Sequence, residues 1–226
     1  MSKTVTIECK QYQEWTPEVQ KKILKKYREI NVEHNDWWDH LYEYWADKLA
    51  EMGYDVKDTA FKDEKKWIDN KYVKTGNRVP YTTYNISFSG FWSQGDGASF
   101  TGSVDIVKWL QVKNNPKYSR ILKLLENSVS SELEYSAEIK RTSSHYVHEK
   151  TVSLQLQWYP DKVYDMPNIH SLLEQIEKDI DEDIIDQCQA IYSDLEKEYD
   201  YLTSDEQVAD ALMANEYEFD EQGRTW

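Results

Sequence analysis

Cysteine is almost missing from this chain: Cys9 and Cys188 are the two in 226 residues. Two thiols so far apart build neither a disulfide framework nor a metal-ligand spacing, so both are expected as free thiols in a reducing setting. Long apolar runs are missing as well. Nothing approaches the roughly 18 apolar residues of a membrane-spanning helix, and the opening MSKTVTIECKQY lacks the apolar core of a signal peptide. A cytoplasmic chain with no membrane role is therefore expected. The sequence also lacks a phosphate-binding P-loop, a dinucleotide fingerprint, an HExxH pair and a CxxC pair. Ser99 and Ser103 do not sit in the G-x-S-x-G setting of an activated nucleophile. No cofactor, metal ligand or catalytic residue is assigned on these grounds.

Basic residues are scarce in one region only. From Asp161 to the end there are 20 acids and four basic residues, whereas residues 1 to 160 hold 22 acids and 23 basic residues. The C-terminal third thus carries the whole excess of the net charge of −15. Direct nucleic-acid binding is not expected of such a chain, and a partner with a basic surface is. Aromatic residues are abundant, with 17 Tyr and nine Trp, and each supplies a large area for burial.

The periodicities predict an α+β fold. TVTIEC alternates as a short strand. Thr16-Pro17 opens a helix striped by Val19, Ile23, Tyr27 and Ile30, and a second helix runs from near Asn35-Asp36 to Gly53. Its stripes are Trp38, Leu41, Tyr42, Trp45, Leu49 and Met52, with Trp37, His40 and Tyr44 beside them, which predicts burial on two sides. A strand near Tyr54 to Phe61 and an irregular surface excursion to residue 82 follow. Helical pieces carry Ile106, Trp109 and Leu110, then Tyr118, Ile121, Leu122 and Leu125. Residues 133–140 and 152–158 alternate as a second hairpin with one apolar face. A stripe from Ile169 to Leu202 predicts one helix of about 35 residues, about 50 Å long, with length to spare for projection or self-association. The expected architecture is an antiparallel sheet of four to five strands, helices on one face, and a long acidic C-terminal helix. The expected division is an α+β core over 1–165 and an acidic helical region over 166–226.

Two segments carry the functional reading. "ISFSGFWSQGDGASFTGSV", residues 86 to 104, predicts a hairpin turning near Ser93 to Gly97, with Gly95 and Gly97 supplying positive φ and Asp96 bonding nearby amides. Trp92 is expected to cover the hairpin's end. Besides the purely structural turn, Trp92, Gln94 and Asp96 form a candidate partner-binding loop, and an enzyme using this loop with His145 or His148 is the rival from another class. "EQIEKDIDEDIIDQ" has seven acids and one Lys. Glu177–Asp181, Asp179–Asp183 and Glu182–Asp186 are like charges one turn apart, each costing a few tenths of a kcal/mol in an isolated helix. A solvated face is one explanation. A negative strip of Glu177, Asp179, Asp181, Glu182, Asp183 and Asp186 that imitates spaced phosphates is the other, with Glu177, Asp181 and Asp183 expected as surface positions.

Residues 16–42, 86–104 and 205–223 together resemble a family of small, mostly uncharacterised phage and prophage proteins that share the FSGFWSQGDGASF hairpin, some labelled antitoxin-like. The resemblance implies a phage origin; together with the charge asymmetry, the expected function is a non-catalytic binding protein that inhibits or modulates a host nucleic-acid-handling factor in the host cytoplasm. Its expected target is a host protein of the defence-nuclease or toxin class. An antitoxin sequestering one cognate toxin is the nearest alternative.

Overall fold

Ten strands and six helices follow one another in the computed structural model, which describes residues 8–34, 36–68, 70–126, 133–143, 145–159 and 168–225. They group into two compact units. One holds residues up to His40 together with Asp194 onward; the other runs from Leu41 to Ser193. The expected boundary near residue 165 lies outside the described residues. The predicted strand over TVTIEC lies mostly outside the described residues.

The reason for the division is visible in the first unit's own core. Strand β1 (Lys10–Gln11) pairs with β10 (Glu218–Phe219), so the two ends of the chain share a ladder. Helix α1 (Pro17–Lys26) begins after Thr16 with proline at its first turn, where the missing amide costs nothing. Helix α6 (Asp205–Ala214) is capped by Ser204, whose hydroxyl accepts from the Gln207 amide at 3.3 Å. Val19, Ile23, Val208, Leu212 and Phe219 form one buried cluster. The Trp15 indole N–H, at 3.1 Å from the Phe219 carbonyl, fastens its edge.

In the second unit, β2 (Tyr54–Asp55), β7 (Gly102–Val104), β8 (Glu134–Arg141) and β9 (Val152–Tyr159) form the expected antiparallel sheet, in the order β2-β7-β8-β9. β8 and β9 pair over eight rungs. Ala137, Ile139, Val152 and Leu154 are buried while Glu138 and Lys140 are exposed, the one-sided alternation the sequence predicts. The predicted long helix is α5, Ile169–Leu202, 34 residues. Its Ile169, Leu173, Ile176, Ile180, Ile184, Cys188 and Ile191 advance by three and four and are all buried. Burying each such aliphatic side chain contributes roughly 1.5–3 kcal/mol. Burial also pushes the Cys188 thiol up to about 12, which leaves it unreactive near neutral pH.

Helix α2 (Asp39–Glu51) starts later than expected and buries Trp45, Ala46 and Leu49 on one side, while Tyr44 is exposed. The expectation of burial on two sides is therefore corrected. The expected irregular excursion is corrected too: β3 (Lys57–Ile68) and β4 (Lys71–Tyr84) form a long two-stranded ribbon, exposed along most of both faces. A bulge between Asp63 and Lys65 bends its register. Glu64 holds the bulge by accepting from the Thr75 hydroxyl at 2.7 Å and the Asn77 amide at 3.2 Å.

Candidate functional site

The quoted hairpin forms as predicted. β5 (Ile86–Phe88) pairs with β6 (Ala98–Phe100) in the register Ile86↔Phe100, Ser87↔Ser99, Phe88↔Ala98. Phe100 and Ala98 are buried. The Asp96 carboxylate accepts from the Ser93 amide at 2.7 Å, and the Asp96 amide donates to the Ser93 carbonyl at 3.1 Å. Gly95 has φ +91°, and a β-carbon there would lie 2.5 Å from the Tyr146 ring. Gly97 does not need positive φ, contrary to expectation. It is glycine because a β-carbon would stand 2.6 Å from His148 Cβ. The turn is thus pressed against the loop between β8 and β9, and the Ser89 hydroxyl donates to the Val147 carbonyl across that contact at 3.2 Å.

Trp92 corrects the expectation of packing. It is 77% exposed. Its φ of +69° swings it out of the line of the hairpin, and its neighbour Phe91 takes the interior place. Phe91 lies 4.8 Å from the Phe88 ring and 5.5 Å from Tyr192 on α5. A bulky residue in the left-handed region costs of order 1–3 kcal/mol and persists where the surroundings impose it. Gln94 is exposed and Asp96 half-buried in the same turn. Trp92, Gln94 and Asp96 stand in one turn, on a base held by the β5–β6 ladder and by the bond from the Ser89 amide to the Gly97 carbonyl at 3.2 Å.

The acidic strip is divided. Asp183 is 6% exposed and accepts four hydrogen bonds: from the Tyr54 hydroxyl at 2.7 Å, the Trp109 indole at 2.8 Å, Lys113 Nζ at 2.9 Å and the Gln187 amide at 3.1 Å. Burial alone would raise its pKa. The bonds from Lys113, Trp109 and Tyr54 outweigh burial and hold the carboxyl below the usual value. Burial and the adjacent Asp183 charge push the Tyr54 phenol far up, so it serves only as a donor. Asp179 accepts from the Tyr118 hydroxyl and the Gln175 amide, and Asp181 accepts from the Leu154 amide of β9 at 3.1 Å. The expectation of Glu177, Asp181 and Asp183 at the surface is therefore corrected: Asp183 is buried and Asp181 half-buried. Asp179, Asp181 and Asp183 hold α5 to its neighbours because a carboxylate so placed satisfies buried donors. Glu182 and Asp186 are exposed and Glu177 half-buried. A cleft of about 390 Å³ opens beside them, lined by Trp109, Lys113, Tyr118, Asp179, Glu182 and Asp186 among others.

The histidines of the rival reading lie in the loop that touches the hairpin. His148 Nδ1 accepts from the Lys150 amide at 3.2 Å and caps a short helical turn. His145 stacks edge-on against Tyr146, with ring centres 4.7 Å apart. Among the described residues, no group of three His, Cys, Asp or Glu side chains could hold a metal ion, and no helix is long and apolar enough to cross a membrane. Sequence reasoning missed the Tyr54–Trp109–Lys113 cradle for Asp183.

Fold and site together define an α+β protein that displays an exposed tryptophan on an internally bonded hairpin loop. Residues 37–205 match the family described as Domain of unknown function (DUF8835), and the chain belongs to that family. No curated protein and no solved structure matches it.

Proposed function

We propose that this protein is a non-catalytic binding protein that docks on a host protein with a basic surface, of the defence-nuclease or toxin class, and holds it inactive. The observation that carries this reading is Trp92: a large aromatic, mostly exposed, on a loop fixed by the Asp96 turn and the Tyr146 and His148 contacts. An anchor held ready in this way avoids much of the ordering cost of association. Glu177, Glu182 and Asp186 supply negative charge for a basic partner. The phage setting comes from the resemblance of the three sequence segments. The internal bonds of Asp179, Asp181 and Asp183 narrow nucleic-acid mimicry to the remaining acids of the strip.

The test compares wild type with Trp92→Ala. Each is immobilised and offered host lysate; the retained protein is identified, purified and titrated. The variant should melt at the wild-type midpoint and bind the target at least about 30-fold more weakly, the hot-spot threshold of about 2 kcal/mol. Unchanged affinity for the purified target would sink the reading, as would a variant that loses stability like a core truncation.

A further inference from the structure

The β3–β4 ribbon is exposed along most of its length, and its tip has a definite chemistry. Residues 65–74, KKWIDNKYVK, contain four lysines and one acid in a chain of net charge −15. The register places Lys65 opposite Lys74 and Trp67 opposite Tyr72, and it places Lys66 opposite Val73 and Ile68 opposite Lys71. Side chains alternate in direction along a strand, so the first two pairs share one face and the last two share the other. Trp67 is 59% and Tyr72 71% exposed, and their rings meet edge-to-face at 4.7 Å.

Two features of this arrangement are unfavourable for the isolated chain. Like charges directly opposite in a ladder are destabilising. Asp63 relieves Lys74 through an ion pair, but among the described residues no carboxylate forms one with Lys65 or Lys71. Two large rings, Trp67 and Tyr72, also stand mostly in water. A ligand with spaced negative charges and flat apolar faces answers both.

We infer that the ribbon tip binds single-stranded nucleic acid, with Trp67 and Tyr72 stacking on unpaired bases, Lys65 meeting a phosphate on the same face, and Lys66 and Lys71 meeting phosphates on the opposite face where the strand passes round the ribbon's edge. An acidic protein surface would match the lysines and leave the rings unexplained. A duplex keeps its base faces stacked inside, away from the rings. A bilayer surface would favour apolar residues at the extreme end of the ribbon, where Asn70 stands. Within residues 1–160, where acids and bases nearly balance, this ten-residue stretch reverses the sign of the chain's net charge. The rest of the molecule repels a polyanion, so the strand held is short. This inference does not depend on the Trp92 reading.

The test is fluorescence anisotropy of 5′-labelled 12-nucleotide oligothymidylate and oligouridylate with the full chain, in 50 and 200 mM salt. Binding should appear in the micromolar range at 50 mM. With three lysine–phosphate contacts and about 0.7 counterion per single-strand contact, affinity should drop about 20-fold at 200 mM. Lys65→Glu with Lys71→Glu should abolish binding. Trp67→Ala with Tyr72→Ala should weaken it at least fivefold, while Trp67→Phe with Tyr72→Phe, which keeps rings in a ribbon of the same pairing, should retain most of it. The relative affinities for DNA and RNA decide which strand is preferred. The inference is overturned by absent binding at 50 µM protein in 50 mM salt, by a Lys65→Glu/Lys71→Glu or Trp67→Ala/Tyr72→Ala variant that binds like wild type, or by equal binding of the duplex. Tighter binding of polyglutamate or of anionic phospholipid vesicles than of the oligomers would also overturn it.

Discussion

Asp183→Ala is expected to destabilise the protein by about 3–5 kcal/mol. The residue is a buried charge with four donors around it, and breaking such a set strands the partners that remain. The Tyr54 hydroxyl and Trp109 indole would lose an acceptor in the interior, and Lys113 would lose its counter-ion. Denaturant unfolding measures the loss. Glu182→Ala, one residue away and exposed, should stay within about 0.5 kcal/mol of wild type. Equal midpoints for the two variants would refute the cradle. The pH dependence has a definite sign. The folded carboxyl titrates below its usual value of 3.8, so its stabilisation is fully present above that value and is lost as pH falls through and below it. Asp183→Ala should show a flatter acid limb than wild type in the same window.

Gly102→Ala is expected to have an effect of similar size for an unrelated reason. Gly102 begins β7 at φ +153°, and a β-carbon there would lie 1.9 Å from the Asp55 carbonyl oxygen and 2.9 Å from its carbon. Both obstacles are backbone of the neighbouring strand, so no side chain can move aside. The register Tyr54↔Val104 and Asp55↔Ser103 would have to open. Strain at such a φ together with overpacking costs about 3–5 kcal/mol. A thermal melt beside Ser103→Ala, at an exposed neighbouring position, isolates the effect. A Gly102→Ala midpoint within a degree of the Ser103→Ala midpoint would show that the strands have room.

The parts of the fold that were legible are those where one face repeats against a core. The α5 stripe holds a helical period from Ile169 to Ile191, and β8 and β9 alternate cleanly, because burial on one side selects every residue that points there. The hairpin turn was legible from Asp96 and Gly95, whose chemistry is local. The role of Asp183 was not. In a run of acids it looks like Glu182, and the groups that distinguish it, Lys113, Trp109 and Tyr54, are 70, 74 and 129 positions away. The ribbon escaped notice because neither face is buried, so charged and apolar residues mix on both and no alternation survives. The outward Trp92 depends on a single backbone dihedral that composition does not reveal.

The bond from the Leu154 amide to Asp181 has a consequence for behaviour in concentrated solution. β9 is an outer strand of its sheet, and its sequence VSLQLQWY alternates apolar and polar residues without a charge. A free amide on such a strand is an invitation to pairing with the same strand of another molecule, the first step of sheet-to-sheet growth. The Asp181 carboxylate occupies that amide and places a negative charge where an incoming chain would have to lie. Asp181→Leu should accordingly appear first as turbidity and sedimenting material on concentration or mild heating, at protein levels where wild type stays clear. One acid of α5 thus guards one amide on the open edge of the sheet against pairing.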